Sequence, residues 1–242
     1  MAQGIRINKY IADAGVCSRR DADILIKNGK VTIDGRVALC GDKVTEGMSV
    51  LVNGRSVELK EKKVYLAYNK PKGVVCTSEK REKDNIIDLI NYPVRITYAG
   101  RLDKDSEGLI LLTNDGDLID GLMRGSNMHE KEYEVTVDKK LTNDFIKALR
   151  AGVYLEELEL TTRSCKVRRT SDRSFNIILT QGLNRQIKRM CRAFDYHVRS
   201  IKRIRINNIE LGKLKRGQYR DLTEDELRKL MSSLREDNDG QD

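Results

Sequence analysis

Between residues 64 and 206, short apolar and β-branched runs alternate with stretches of helical period, and this alternation limits the chain to a mixed architecture. Val64 to Tyr68, Val94 to Tyr98, Leu109 to Thr113, Tyr133 to Val137, Cys165 to Val167, Phe175 to Leu179 and Val198 to Ile206 read as strands. Asp117 to Met123, Asn143 to Leu149 and Arg185 to Phe194 read as helices. The pattern predicts an α+β fold around a sizeable sheet. Thr223-Glu224-Asp225-Glu226 is a capping box that opens a last helix to about Leu234, and residues 235–242 form a polar, frayed tail.

The first sixty residues read as a separate small unit. Ile7, Ile11 and Ala14 share a helix face that Gly15 ends, and Ser18 can cap a second helix with Ala22, Leu25 and Ile26 inside, closing at Asn28-Gly29. Val31 and Ile33 then alternate up to an Asp34-Gly35 turn. Val50 and Val52 face Val57 and Leu59 across Asn53-Gly54, both strong hairpin signals. The charged stretch Glu58 to Lys63 is the expected linker, dividing residues 1–62 from 63–234.

Composition narrows the chemistry. No apolar run approaches a membrane span, mean hydropathy is −0.55, and the first ten residues lack a signal-peptide core, so a cytoplasmic protein without membrane contact is expected. Five scattered cysteines lack the close pairs of a zinc or redox site and read as reduced thiols, and two distant histidines do not suggest a metal site. Chemistry should therefore fall to carboxylates or lysines. The net charge of +9 fits a polyanionic partner, and it is skewed: residues 181–220 hold twelve Lys or Arg against Asp195 and Glu210. Arg189, Arg192, Lys202, Arg203 and Arg205 there exceed what ordinary salt bridging needs, giving an RNA track or a solvated basic helix. Arg19 and Arg20 in the first turn of a helix oppose its dipole, which calls for a compensating anion.

The most informative run is Ala99-Gly100-Arg101-Leu102-Asp103-Lys104-Asp105-Ser106-Glu107-Gly108, followed by Leu109-Ile110-Leu111-Leu112-Thr113-Asn114-Asp115-Gly116. A charged loop bracketed by glycines and leading into an apolar strand is where a rigid sheet can hold a reactive side chain. Spacing alone leaves three readings of its acids: a solvated turn, an enzymatic site, or a magnesium site shared by Asp103, Asp105 and Glu107 as in a nuclease.

Gly100-Arg101-Leu102-Asp103 with Ser106, Gly108 and the Leu-Leu-Thr-Asn-Asp-Gly that follows resembles the signature of pseudouridine synthases, in the RsuA branch that modifies ribosomal RNA. Asn69-Lys70-Pro71-Lys72-Gly73, Lys131-Glu132-Tyr133 and the basic helix Gln181 to Met190 follow in the family's order, and His129-Glu130-Lys131-Glu132-Tyr133 is most similar to the RluF-type subgroup, which acts on large-subunit RNA. Asn8-Lys9-Tyr10, Cys17-Ser18-Arg19-Arg20 and Gly29 to Gly35 resemble the S4 RNA-binding domain over residues 5 to 52. The resemblance implies a small S4 domain of two helices plus a small β-sheet, then a catalytic domain built on a mixed, mainly antiparallel sheet with flanking helices.

It also implies an isomerase that breaks the N1 glycosidic bond of a uridine, turns the ring and rejoins it through C5, using no cofactor and no metal. Asp103 would be the essential carboxylate, and Lys188, or failing that Arg185, the cation that keeps it ionised. Tyr133 would stack on the extracted uracil or else pack in the core, Arg101 would fill the gap left in the RNA, and Leu102 and Ile187 would wall the base, with Ile187 equally readable as core. Lys9, Arg19, Arg20, Lys70, Arg185, Arg189, Arg192, Lys202 and Arg203 are the expected RNA contacts, although Lys70 and Pro71 also read as structural. Asp105 and Glu107 read as surface charge. The implied partner is 23S ribosomal RNA, with transfer RNA a further candidate, bound by a monomer. An S4 RNA-binding protein with a degenerate catalytic domain is the competing reading.

Overall fold

The computed structural model describes residues 4–59, 62–79, 81–123 and 128–239. It divides into two compact units: Met1–Val64 with Tyr92–Ile96 and Asn114–Gly116, and Tyr65–Asn91 with Thr97–Thr113 and Asp117–Asp242.

The first unit carries β1 (Ile5–Arg6), α1 (Ile7–Asp13), α2 (Arg19–Lys27), β2 (Val31–Ile33), β3 (Arg36–Val37), β4 (Lys43–Val44), β5 (Val50–Val52) and β6 (Arg55–Ser56). Ser18 caps α2 by accepting from the Asp21 amide at 3.1 Å. Ile7, Ile11, Ala22, Ile26, Val31, Val50 and Val52 make its core. The sheet runs β3-β2-β5-β6. Its hairpins turn at Asp34-Gly35 and Asn53-Gly54, where φ is positive at both residues (48° and 79°, 49° and 75°), the geometry whose twist suits a two-residue hairpin. The second hairpin is shorter than expected. Val57 still donates to the Val50 carbonyl at 2.9 Å, but Leu59 lies outside the strands and is 41% exposed.

In the second unit are β7 (Tyr65–Lys70), α3 (Ile86–Ile90), β8 (Thr97–Ala99), β9 (Glu107–Thr113), the body of α4 (Gly116–Met123), β10 (Lys131–Val137), α5 (Asn143–Ala151), β11 (Tyr154–Leu155), β12 (Leu160–Thr161), β13 (Lys166–Arg169), β14 (Ser174–Leu179), α6 (Gln186–Arg192), β15 (Val198–Ile206), β16 (Ile209–Glu210), β17 (Tyr219–Asp221) and α7 (Glu224–Asp239). The main sheet runs β13-β14-β10-β15-β9-β7-β17, with β8 added to β9 and β16 to β15. Every pairing in it is antiparallel except β15 with β9. Expected strands and helices recur with shifted ends. The run Val94 to Tyr98 becomes a strand only at Thr97–Ala99, α3 is too short for a helical period to show, and β17 carries too few apolar residues to be read.

Helices α5 and α6 pack Phe145, Leu149, Ile187 and Met190 onto Val135, Phe175, Ile177 and Ile201 of the sheet. Helices α4 and α7 pack Leu118, Leu122, Leu230 and Leu234 onto Ala67, Leu109, Leu111 and Ile206. Full burial of one such leucine stabilises by about 1.5 to 3 kcal/mol. The capping box forms: the Thr223 amide donates to Glu226 at 2.9 Å, and the Glu226 amide to Thr223 Oγ1 at 3.2 Å. The helix it opens continues to Asp239, because Arg235 to Asp239 includes neither Gly nor Pro and polarity alone does not end a helix; residues 240–242 of the expected tail lie outside the described residues.

Candidate active site

The charged loop leaves β8 at buried Ala99, turns through Gly100 at φ 81°, and re-enters the sheet at β9. Three backbone bonds pin it. Leu102 donates to Cys76 Sγ at 3.5 Å, Gly73 donates to the Lys104 carbonyl at 2.7 Å, and Ser106 donates to the Asp103 carbonyl at 3.1 Å. Leu102 is itself buried, so Asp103 stands between fixed points while its side chain stays 37% exposed. At the loop's end Gly108, with φ 107°, lies against β15: a Cβ there would sit 2.3 Å from the Arg203 carbonyl oxygen. Only glycine permits that approach.

Helix α6 turns Gln186, Ile187, Met190 and Cys191 inward and leaves Lys188 facing the loop. Lys188 Nζ lies 3.0 Å from Asp103 Oδ2 and 2.5 and 2.7 Å from the two oxygens of Asp105. Lys188, not Arg185, is thus the cation that meets Asp103. The Lys188 hydrogen bond holds the Asp105 carboxyl below the usual carboxylate range, against partial burial. Asp105 is exposed as expected, yet it shares this ion pair. Glu107 is not surface charge: its side chain is 13% exposed and pairs with Arg216 at 2.8 Å, so the three loop acids do not converge. Among the described residues no group of three or more His, Cys, Asp or Glu could hold a metal ion.

Asp103 and Lys188 border a cavity of about 750 Å³, a size common for nucleotide-scale ligands. Arg101, Leu102, Tyr133 and Ile187 line the same space, bringing together residues from a loop, a strand and a helix. Tyr133 and Ile187 line the cavity and are also part of the packing around α5 and α6. Lys131 and Arg203 line the cavity too, beside Cys76, Thr180 and Gln181. Lys131 had no expected place at the site, although the period of β10 puts it on the Tyr133 face. A second, shallower space of about 550 Å³ is bordered by Lys72, Lys104 and Arg185 together with Asp103, Asp105 and Lys188.

Several expected RNA contacts are corrected by their surroundings. Lys70 is fully buried, its Nζ donating to the carbonyls of Pro71 at 3.0 Å and Val74 at 2.8 Å; burial pulls its pKa down while Cys76, Asp105 and Asp103 oppose that. Its role is to brace the strand end. Arg203 is 2% exposed and donates through Nε to the Leu109 carbonyl at 2.6 Å, so it cannot lie on an outer track. Arg189 is engaged by Glu157 and the Asn184 carbonyl, and Arg205 by Glu130 at 2.9 Å and Glu132 at 3.0 Å, which removes two more from the supposed excess. Arg20, Arg185 and Arg192 are exposed, Arg19 and Lys202 are half-buried, and Lys9 lies 4.0 Å from Asp13. All five cysteines are free, and burial pushes the Cys191 thiol up to about 12. No described helix is long and apolar enough to cross a membrane.

The RNA pseudouridylate synthase family matches residues 64–193, more than half of the chain. The chain belongs to this family. An S4 domain matches residues 5–50. The synthase is 51% identical over 224 residues to the dual-specificity RNA pseudouridine synthase RluF of Salmonella typhi, covering 92% of this chain and 77% of that one. It is 35% identical over 232 residues to the ribosomal large subunit pseudouridine synthase B of Bacillus subtilis (strain 168), covering 93% and 95%. A crystal structure of a pseudouridylate synthase superposes with a TM-score of 0.70 at 28% identity, over 93% of this chain and 99% of that one. The expected S4 domain and pseudouridine synthase fold are therefore both present, and the enzyme is an isomerase acting on RNA.

Proposed function

We propose that this pseudouridine synthase converts one or a few uridines of large-subunit (23S) ribosomal RNA, working as a cytoplasmic monomer with Asp103 as its essential carboxylate. The observation that carries this reading is the 3.0 Å pair between Lys188 and Asp103 on the wall of a cavity shared with Tyr133 and Ile187. Asp103 acts at the ribose, by attack on C1′ or by taking the C2′ proton, and in both routes the Lys188 ammonium 3.0 Å away aims the carboxylate. Tyr133 gives the extracted uracil an aromatic face in place of its lost stacking, Leu102 and Ile187 supply apolar walls, and Arg101 occupies the gap in the RNA. Residues 1–62 serve as S4 domain and linker, gripping RNA through Lys9, Arg19 and Arg20, while residues 63–234 carry the catalytic domain with Arg185, Arg192 and Lys202 on its RNA side. The Bacillus subtilis relative, a ribosomal large subunit pseudouridine synthase, supports the large subunit as substrate, and the dual specificity of the Salmonella typhi relative is the reason to include transfer RNA in the test.

Large-subunit and transfer RNA carrying tritium at uracil C5 are the substrates for that test. The large-subunit RNA should lose label in the presence of a chelator, and Asp103→Asn should abolish release while RNA affinity stays within about twofold. Release that needs magnesium, release unaffected by Asp103→Asn, or label lost only from transfer RNA refutes the reading.

A further inference from the structure

Two cations in the active cavity have no role in the steps above. Lys131 of β10 stands two residues before Tyr133, which pairs with Arg203 of β15, and both cations line the cavity. Arg203 is 2% exposed, and its Nη2 is buried without a hydrogen-bond partner. The bond from Lys131 Nζ goes to the His129 carbonyl at 3.3 Å. Among the described residues neither cation has an ion pair, because the neighbouring carboxylates are used elsewhere: Glu130 binds Lys166 and Arg205, and Glu132 binds Arg205 and Asn176. Two positive groups held close together at the edge of a cavity, one with a buried donor unspent, are costly unless the visiting molecule brings negative charge.

The bound uridine supplies that charge during the reaction. When the N1–C1′ bond breaks, its electron pair stays with the uracil, and the ring anion spreads the charge over N1, O2 and O4 until C5 bonds to C1′ and gives up its proton. We propose that Lys131 and Arg203 form a cationic floor to the cavity that donates hydrogen bonds to the carbonyl oxygens of the departing uracil and stabilises this ring anion. The inference rests on the proposed use of the cavity for the flipped uridine. Fixed donors aimed at charge that develops in the transition state typically contribute about 100-fold or more to rate.

The pH response separates this role from a structural one. Burial, with Arg203 nearby, lowers the Lys131 pKa to about 8, so the floor should lose a charge as pH rises past that value. The other charged or titratable groups facing the same space are Cys76, Arg101, Asp103, Lys104, His129, Tyr133, Arg163, Arg185, Lys188 and Arg203. Single-turnover tritium release should be measured from pH 6.5 to 9.5, with RNA affinity and melting temperature followed in parallel. Wild-type rate should fall above about pH 8, Lys131→Met should lower the rate about 100-fold with affinity unchanged, and Lys131→Arg should keep most of the rate and abolish the fall. A Lys131→Met rate within threefold of wild type, or a loss wholly in affinity, overturns the floor. Should Lys131→Met fail to fold, Lys131→Arg decides alone, since a fall parallel to wild type refutes the proposal. Wild-type protein that releases no label from any RNA overturns the functional reading and this inference with it, whereas active wild type with indifferent Lys131 variants overturns the inference alone.

Discussion

Replacing Gly108 with alanine tests the geometry on which the active loop depends. The added carbon would lie 2.3 Å from the Arg203 carbonyl oxygen and 2.7 Å from its amide nitrogen. A relaxed carbon-to-oxygen contact is about 3.3 Å or longer, so β9 and β15 must part by roughly 1 Å. That separation acts on the one parallel pairing of the sheet, Lys202 with Glu107 and Arg203 with Gly108, where neither strand end is free to swing. Alanine at φ 107° adds backbone strain of about 1 to 3 kcal/mol, and forced packing costs about as much again. Together they give about 4 kcal/mol, or roughly 10 °C in Tm for a chain of this size. Gly217 is the control, since it sits at φ 78° with open space where its Cβ would stand and so carries only the backbone strain. Urea unfolding followed by circular dichroism should place Gly108→Ala about 2 kcal/mol or more below Gly217→Ala. Equal destabilisation of the two would show that the close approach of the strands costs nothing, and the account of the loop's anchoring would fall.

Two further outcomes concern the cation above the carboxylates. Lys188→Met leaves Asp103 and Asp105 together without their shared counter-ion, so single-turnover conversion should drop at least about 100-fold while RNA affinity changes little; a loss under threefold would mean that Asp103 needs no such partner. Asp105→Asn tests linkage: the Asp105 pKa is lowered by Lys188, so its contribution is present above the unfolded carboxylate value of about 3.9 and is lost as pH falls through the folded one. With its side chain 69% exposed, screening keeps the effect below about 1 kcal/mol. The Tm gap between wild type and variant should be a few degrees or less at pH 7 and should narrow as pH falls below about 3.9, and a gap that stays constant through the acid range would contradict the assignment.

Much of the fold was legible because its signals are local. The Ser18 cap, the Asp34-Gly35 and Asn53-Gly54 turns and the Thr223 to Glu226 capping box each depend on a few neighbouring residues, and each forms as read. The misreadings arose where an end is set by distant partners: β8 begins at Thr97 because β9 pairs it there, and α3 is too short for its period to stand out. At the site, the loop motif marked Asp103, while choosing Lys188 over Arg185 needed the direction in which α6 presents its side chains.

Arg203 and Arg205 show where sequence reasoning stops. They stand two apart on one strand, so regular alternation puts both on one face. A shift of register between Glu132 and Tyr133 of β10 breaks that rule, setting Arg203 beside Tyr133 and Arg205 beside Glu132. One guanidinium therefore enters the cavity and the other is tied to Glu130 and Glu132. By itself the sequence determined the mixed α+β order, the hairpin and cap positions, the family and the carboxylate that the family motif carries. Only the tertiary structure decided which cations face the cavity that Asp103 borders and which are tied up outside, because that depends on strand register and helix facing, which residues far apart in the chain set together.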